Sequence, residues 1–183
     1  MTPIVRSIEP QQVQSPVEST LSLWQLRFLL RKLCLKRGEH VLLMGTHALG
    51  IVEMLAMAVG QTGQVTVLTE PGVSDIERQS LQRDLTLLPQ VKVVAPGPST
   101  DLQQCDAIAI LPERLTEPYE PLMDQSWRRL GNGGRLMLTL PKGEGDQLNS
   151  AIACANQKGF VTRYRRNCDK HCAWVGVKYV AKW

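Results

Sequence analysis

Apolar residues fall along this chain in short runs separated by polar, glycine-bearing or proline-bearing stretches, and the run lengths predict buried strands alternating with helices. Residues 41–44 form a continuous apolar run short enough for a strand buried on both faces. Residues 45–50 read as a turn, residues 51–59 as a helix of largely apolar composition, and residues 65–68 as a second buried strand. Ser74 or Asp75 can cap a helix running to about residue 88, and residues 91–95 give a third strand. The pattern then repeats. Residues 106–111 form a fourth strand, and residues 121–130 a helix with Met123, Trp127 and Leu130 spaced by four and three. Glycines at 131–134 turn the chain into a fifth strand at 135–140. A helix from about 146 to 158 stops at Gly159, and strands at 160–166 and 173–180 close the chain as a hairpin.

Upstream, residues 1–14 are polar and proline-punctuated, and read as an arm over the surface. Ser15, Pro16 and Glu18 have the pattern of a capped helix start. The helix that follows places Leu23, Leu26, Leu30 and Leu33 on one face, as expected for packing on a sheet. Residues 15–183 are expected to form one α/β domain, a three-layer sandwich with a mostly parallel seven-stranded sheet.

Composition changes this picture little. The 183 residues carry 21 Lys and Arg against 17 Asp and Glu, a net charge of +4 that is too mild for a nucleic-acid signature. The basic cluster Arg163-Tyr164-Arg165-Arg166 suits a solvated edge strand. Trp24, Trp127 and Trp174 suit core or sheet-packing positions, which predicts no aromatic platform for single-stranded nucleic acid. No run approaches a membrane span, and the first 20 residues lack the apolar core of a secretion signal, so a cytoplasmic protein is expected. The 5 cysteines, odd in number and scattered, agree with a reducing compartment. Cys168, His171 and Cys172 have zinc half-site spacing, but no second CxxC or HxxxH group accompanies them, although Cys154 could approach in space, and free thiols in a hairpin loop are expected.

The most informative stretch runs from residue 38 to residue 70. It forms a complete strand, turn, helix and strand ending on an acid, Glu70, which stands 25 residues after Gly45. At that spacing a carboxylate can accept hydrogen bonds from a ribose while the turn faces the rest of a nucleotide-type ligand. A helix-capping or solvated role is the alternative for Glu70. His47, of the residue type whose ordinary pKa lies near neutrality, reads either as a general base or as a loop residue bonded to nearby backbone.

The order of elements resembles the class I S-adenosylmethionine-dependent methyltransferase fold from Ser15 to Trp183. RGEHVLLMG is similar to the family's first strand, GQVTVLTE to its second with the ribose-binding acid, CDAIAIL to its fourth, and SWRRLGNGGRLMLTLP to the helix, turn and fifth strand. The final hairpin separates this family from ordinary dinucleotide-binding domains. In the family, an acid precedes a Gly-x-Gly-x-Gly turn. Here those positions are Leu43, Gly45, His47 and Leu49, with Gly50 one residue late. The resemblance implies S-adenosylmethionine as cofactor, held by Gly45, Thr46, His47, Gly50 and Glu70. His47 and Glu113 are then the candidate catalytic residues, Glu113 for orienting substrate or removing a proton. Two functions stay open at this point. One is a methyltransferase acting on a small molecule or exposed protein group, mainly by alignment. The other is a pseudoenzyme serving as a scaffold or subunit of a protein complex.

Overall fold

The computed structural model describes residues 23–46, 48–97, 103–112, 114–141, 143–167 and 171–180. Its elements are α1 (Leu23–Arg31), β1 (His40–Met44), α2 (Leu49–Val59), β2 (Gln64–Leu68), α3 (Asp75–Asp84), β3 (Val91–Val94), β4 (Cys105–Ile110), α4 (Glu120–Arg129), β5 (Leu130–Pro141), α5 (Gly145–Lys158), β6 (Phe160–Asn167) and β7 (His171–Lys178). The sheet has 7 strands in the order β3-β2-β1-β4-β5-β7-β6. β1 pairs in parallel with both β2 and β4, and β4 pairs in parallel with β5. β7 runs antiparallel to both of its neighbours, as expected for the closing hairpin.

The short apolar runs become central strands because both faces of the sheet are covered. On one face α1, the turn after it and α2 bury Leu29, Leu33, Val52 and Leu55 against Leu43, Val67 and Ala109. On the other, α4 and α5 bury Met123, Leu148 and Ile152 against Ile108, Leu138 and Trp174. Trp174 is fully buried, its ring edge-to-face with Phe160 at 6.2 Å, and its indole N–H donates to Thr162 Oγ1 at 2.8 Å. Among the described residues no helix is long and apolar enough to cross a membrane.

Several expectations need correction. α2 begins at Leu49, so Gly50 lies in its first turn and the connection from β1 is shorter than the glycine spacing suggested. α3 carries the expected cap, a reciprocal pair between Ser74 and Glu77, but ends at Asp84 rather than near residue 88. Its last turn gives way to successive turns at Leu85, Thr86 and Leu88, anchored by buried Leu85. The glycines at 131–134 do not precede β5 but lie within it. Leu130 already pairs with Cys105, and the register shifts before Ala107 meets Arg135. Gly133 at φ +79° and the crowding of Leu130 around Gly134 give the reason, since both positions favour residues without a side chain. β7 starts at His171 and stops at Lys178, and β6 continues to Asn167. Trp127 and Trp174 pack as expected, but Trp24 is 73% exposed. The arm at 1–14 and the cap at Ser15, Pro16 and Glu18 lie outside the described residues.

One ion pair ties the strands together at the edge of the sheet where β1 begins. Arg135 donates from its two terminal nitrogens to Glu39, at 3.1 and 2.5 Å, and the Lys36 amide donates to the same carboxylate at 2.8 Å. Burial pushes the Glu39 carboxyl upward, but the hydrogen bonds from Arg135 and from the Lys36 amide outweigh it and hold the group below its ordinary value. A depressed carboxylate stabilises the fold above its unfolded pKa and loses that contribution as pH falls through the folded value. Glu39→Gln is therefore expected to lower stability by about 1–2 kcal/mol at neutral pH. In urea titrations the gap between the two proteins should close as pH falls below 4.5, the ordinary value for the group. A gap of constant size down to pH about 3 would contradict this assignment.

Candidate functional site

Parallel strands β1, β2 and β4 end side by side, because Met44 is in register with both Leu68 and Ile110. The first residues beyond those ends are Gly45, Thr69 and Leu111, which outline the crevice at the carboxyl edge of the sheet where open α/β folds hold ligands. Glu70 follows Thr69 and is exposed, while Thr69 is tied to β3 through its amide and hydroxyl, both donating to the Val94 carbonyl at 3.0 and 3.3 Å. The acid thus stands on a strand end held from the far side.

Gly45 has φ +79°, a left-handed conformation that favours glycine. A Cβ added there would lie 2.7 Å from Pro112 N and 2.9 Å from Pro112 Cα, so the chain leaving β4 presses directly on this glycine. The Leu111 amide donates to the Met44 carbonyl at 2.9 Å, extending the β1 to β4 pairing past the last register pair. The role of Pro112 is a tertiary contact for which the sequence holds one weak signal, a proline placed immediately after a buried strand and Leu111.

Thr46 caps the turn locally, its hydroxyl accepting from the Ala48 amide at 3.3 Å. α2 then starts with Ala48 as its cap and no side-chain cap bond, and its first turn carries no acidic residue. The helix N-terminus beside the crevice therefore keeps its attraction for a carboxylate or another electron-rich group. Leu49 projects at 42% exposure, whereas Leu43 is fully buried in the core under α1 and α2. The position where the resemblance calls for an acid supplies only packing.

The structure brings Gly45, Thr46, Gly50 and Glu70 to one edge. His47 and Glu113 lie outside the described residues. Among the described residues of segments 45–50, 69–72 and 111–112, Glu70 is the one ionisable side chain. Among the described residues this arrangement can orient a ligand and supplies no acid and base pair. Of the possible zinc half-site, Cys168 lies outside the described residues. Cys172 packs with the core under α4 and α5, its Sγ donating to Asn167 Oδ1 at 3.1 Å. His171, next to it in β7, points to the other face, because successive strand residues alternate. Burial and the nearby positive charge of Arg166 push the His171 imidazole downward.

A sheet of this order, with its last strand reversed between β5 and β6 and a crevice at the ends of β1, β2 and β4, has the fold of the class I S-adenosylmethionine-dependent methyltransferases. Solved structures agree. A precorrin-6y C5,15-methyltransferase from Geobacter metallireducens superimposes with a TM-score of 0.70 at 14% identity, covering 90% of this chain and 94% of that one. A SAM-dependent O-methyltransferase from Thermotoga maritima gives 0.68 at 19% identity, over 87% of this chain and 66% of that one. TrmN from Thermus thermophilus gives 0.67 at 21% identity, over 88% of this chain. The chain spans half the length of that protein. No protein-family model and no curated protein matches the sequence.

Proposed function

We propose that this protein binds S-adenosylmethionine at the carboxyl edge of its sheet and transfers the methyl group to a small molecule or an exposed protein group. The supporting observation is that Gly45, the uncapped start of α2 and the exposed Glu70 follow strands that end in register at one edge of the sheet. These groups fit two parts of the cofactor. Glu70 would accept hydrogen bonds from the ribose hydroxyls, and the turn from Gly45 to Gly50 would receive the amino-acid end, with its carboxylate toward the α2 N-terminus. Leu43 offers no charge to the ammonium group, so the affinity is expected to be modest. When bound, the cofactor supplies an electrophilic methyl carried on a sulfonium. The chain contributes alignment of the acceptor with that methyl and exclusion of water, and proximity of this kind can supply several kcal/mol of barrier reduction.

A second reading has one specific observation in its favour. Pro112 packs so near Gly45 that an added Cβ would lie 2.7 Å from its nitrogen, which suits a scaffold whose pocket has narrowed. The two readings separate in a spectrum of isotopically labelled protein titrated with S-adenosylhomocysteine. The cofactor reading expects shifts at the amides of Gly45, Thr46, Leu49, Gly50 and Glu70, with the β6 and β7 amides unmoved. Shifts confined to other surfaces, or none at millimolar ligand, would favour the scaffold.

A further inference from the structure

The exposure of Trp24 removes the ground for expecting no aromatic platform, and its neighbours give the position a chemical meaning. The Trp24 and Phe28 rings lie nearly parallel, 16° apart with centroids 6.2 Å from one another. Lys32 Nζ sits 5.3 Å from the Phe28 centroid and 4.9 Å from that of Tyr164, and the Arg166 guanidinium lies 5.5 Å from Phe28. Aromatic faces and cations therefore alternate across the seam between α1 and β6. Arg27 and Arg31, exposed on the next ridge of α1, border a groove of about 560 Å³ that Trp24 and Phe28 also line, with Met54 and Ala58 of α2 on its far wall.

The charge is concentrated here. Residues 23–38 and β6 carry eight of the 21 Lys and Arg of the chain and none of its 17 Asp and Glu, so the remaining residues are net negative. Of these basic residues, Arg27, Arg31, Lys32 and Arg166 border the seam, whereas Arg165 turns to the other face of the sheet and donates to Asn149 of α5. The seam also has a direction relative to the cofactor crevice. The Gly38 amide donates to the Val59 carbonyl at 2.8 Å, so the chain leaving α1 meets the end of α2, and both helices run away from the carboxyl edge of the sheet. Trp24, at the start of α1, and Arg166, near the end of β6, therefore lie toward that edge.

We infer that the seam of α1 and β6 binds single-stranded nucleic acid, with bases stacking on the exposed Trp24 that Phe28 backs and phosphates paired with Arg27, Arg31 and Lys32. Aromatic rings interleaved with cations are how proteins hold unpaired strands without strong sequence preference. A duplex keeps its bases stacked on one another and would leave the indole unused. An acidic protein segment would satisfy the cations but has no need of Trp24. The inference goes beyond the cofactor reading and does not depend on it, because binding is measured without S-adenosylmethionine.

The test is fluorescence anisotropy of the full chain with labelled oligouridylate and oligothymidylate across a salt series. Both strands should bind, with log K falling by about 2 per tenfold rise in salt if the three cations each meet a phosphate. Trp24→Ala should weaken binding roughly tenfold or more, with the melting temperature nearly unchanged because the position is exposed. The double charge reversal Arg27→Glu, Arg31→Glu should abolish binding. A preference for the ribose strand would add a contact to the 2′-hydroxyl and supports the inference equally. No binding at roughly 50 mM salt and 100 μM protein would overturn it. So would polyglutamate competing as well as the nucleic acid while Trp24→Ala changes nothing, since that result describes a surface for acidic proteins.

Discussion

Alanine at position 45 is expected to lower the unfolding free energy of the ligand-free protein by about 2–4 kcal/mol, through two costs that can be told apart. The first is conformational. At φ +79° a side chain is strained whatever space surrounds it, for about 1 kcal/mol. The second is steric. The new methyl would meet the backbone nitrogen and Cα of Pro112 inside 3 Å, and a backbone cannot rotate away as a flexible side chain can. Forcing apart a packed contact of this kind costs about 1–3 kcal/mol more. Gly72 supplies the control. Its φ of +104° is equally unsuited to alanine, but nothing lies within 4 Å of its added Cβ. Gly72→Ala should therefore carry only the conformational cost. Urea denaturation of the three proteins separates the terms. If Gly45→Ala is no less stable than Gly72→Ala, the β4 chain yields easily and the glycine is there for a ligand rather than for Pro112.

The residue pattern made the sheet legible because its strands are covered on both faces, and such strands must be short, continuous and apolar. The first, second and fourth strands answer that description within a residue at each end. The closing hairpin was equally readable from Gly159, whose φ of +112° ends α5 as the sequence suggested. Elements whose limits depend on tertiary contacts were read less well. α3 stops where Leu85 is drawn into the core, and the glycines before Arg135 have the composition of a turn although they form an irregular part of β5. Trp24 suits a core position by the rule that large apolar residues are buried more often than not, a rule silent about exposed stacking. In the candidate site, Glu70 was legible because its spacing from Gly45 follows from the length of one strand-helix-strand unit. The pressure of Pro112 on Gly45 was not, since it joins residues 67 positions apart in the sequence.

Glu70 carries the second large effect and the central claim. Its carboxylate stands exposed at the end of β2, tied to no other strand by its own side chain among the described contacts, so its loss should leave the fold intact and change binding alone. A hydrogen-bonded charged anchor is worth roughly 1.5–3 kcal/mol, which corresponds to about ten- to hundredfold in affinity. The most direct measurement is titration calorimetry of S-adenosylmethionine and S-adenosylhomocysteine into the parent protein and Glu70→Ala. Modest binding by the parent, weakened ten- to hundredfold by the substitution while the melting temperature holds, is the predicted result. Submicromolar binding indifferent to Glu70→Ala would contradict the placement of the site, and no binding by either protein at millimolar ligand would contradict the cofactor assignment itself.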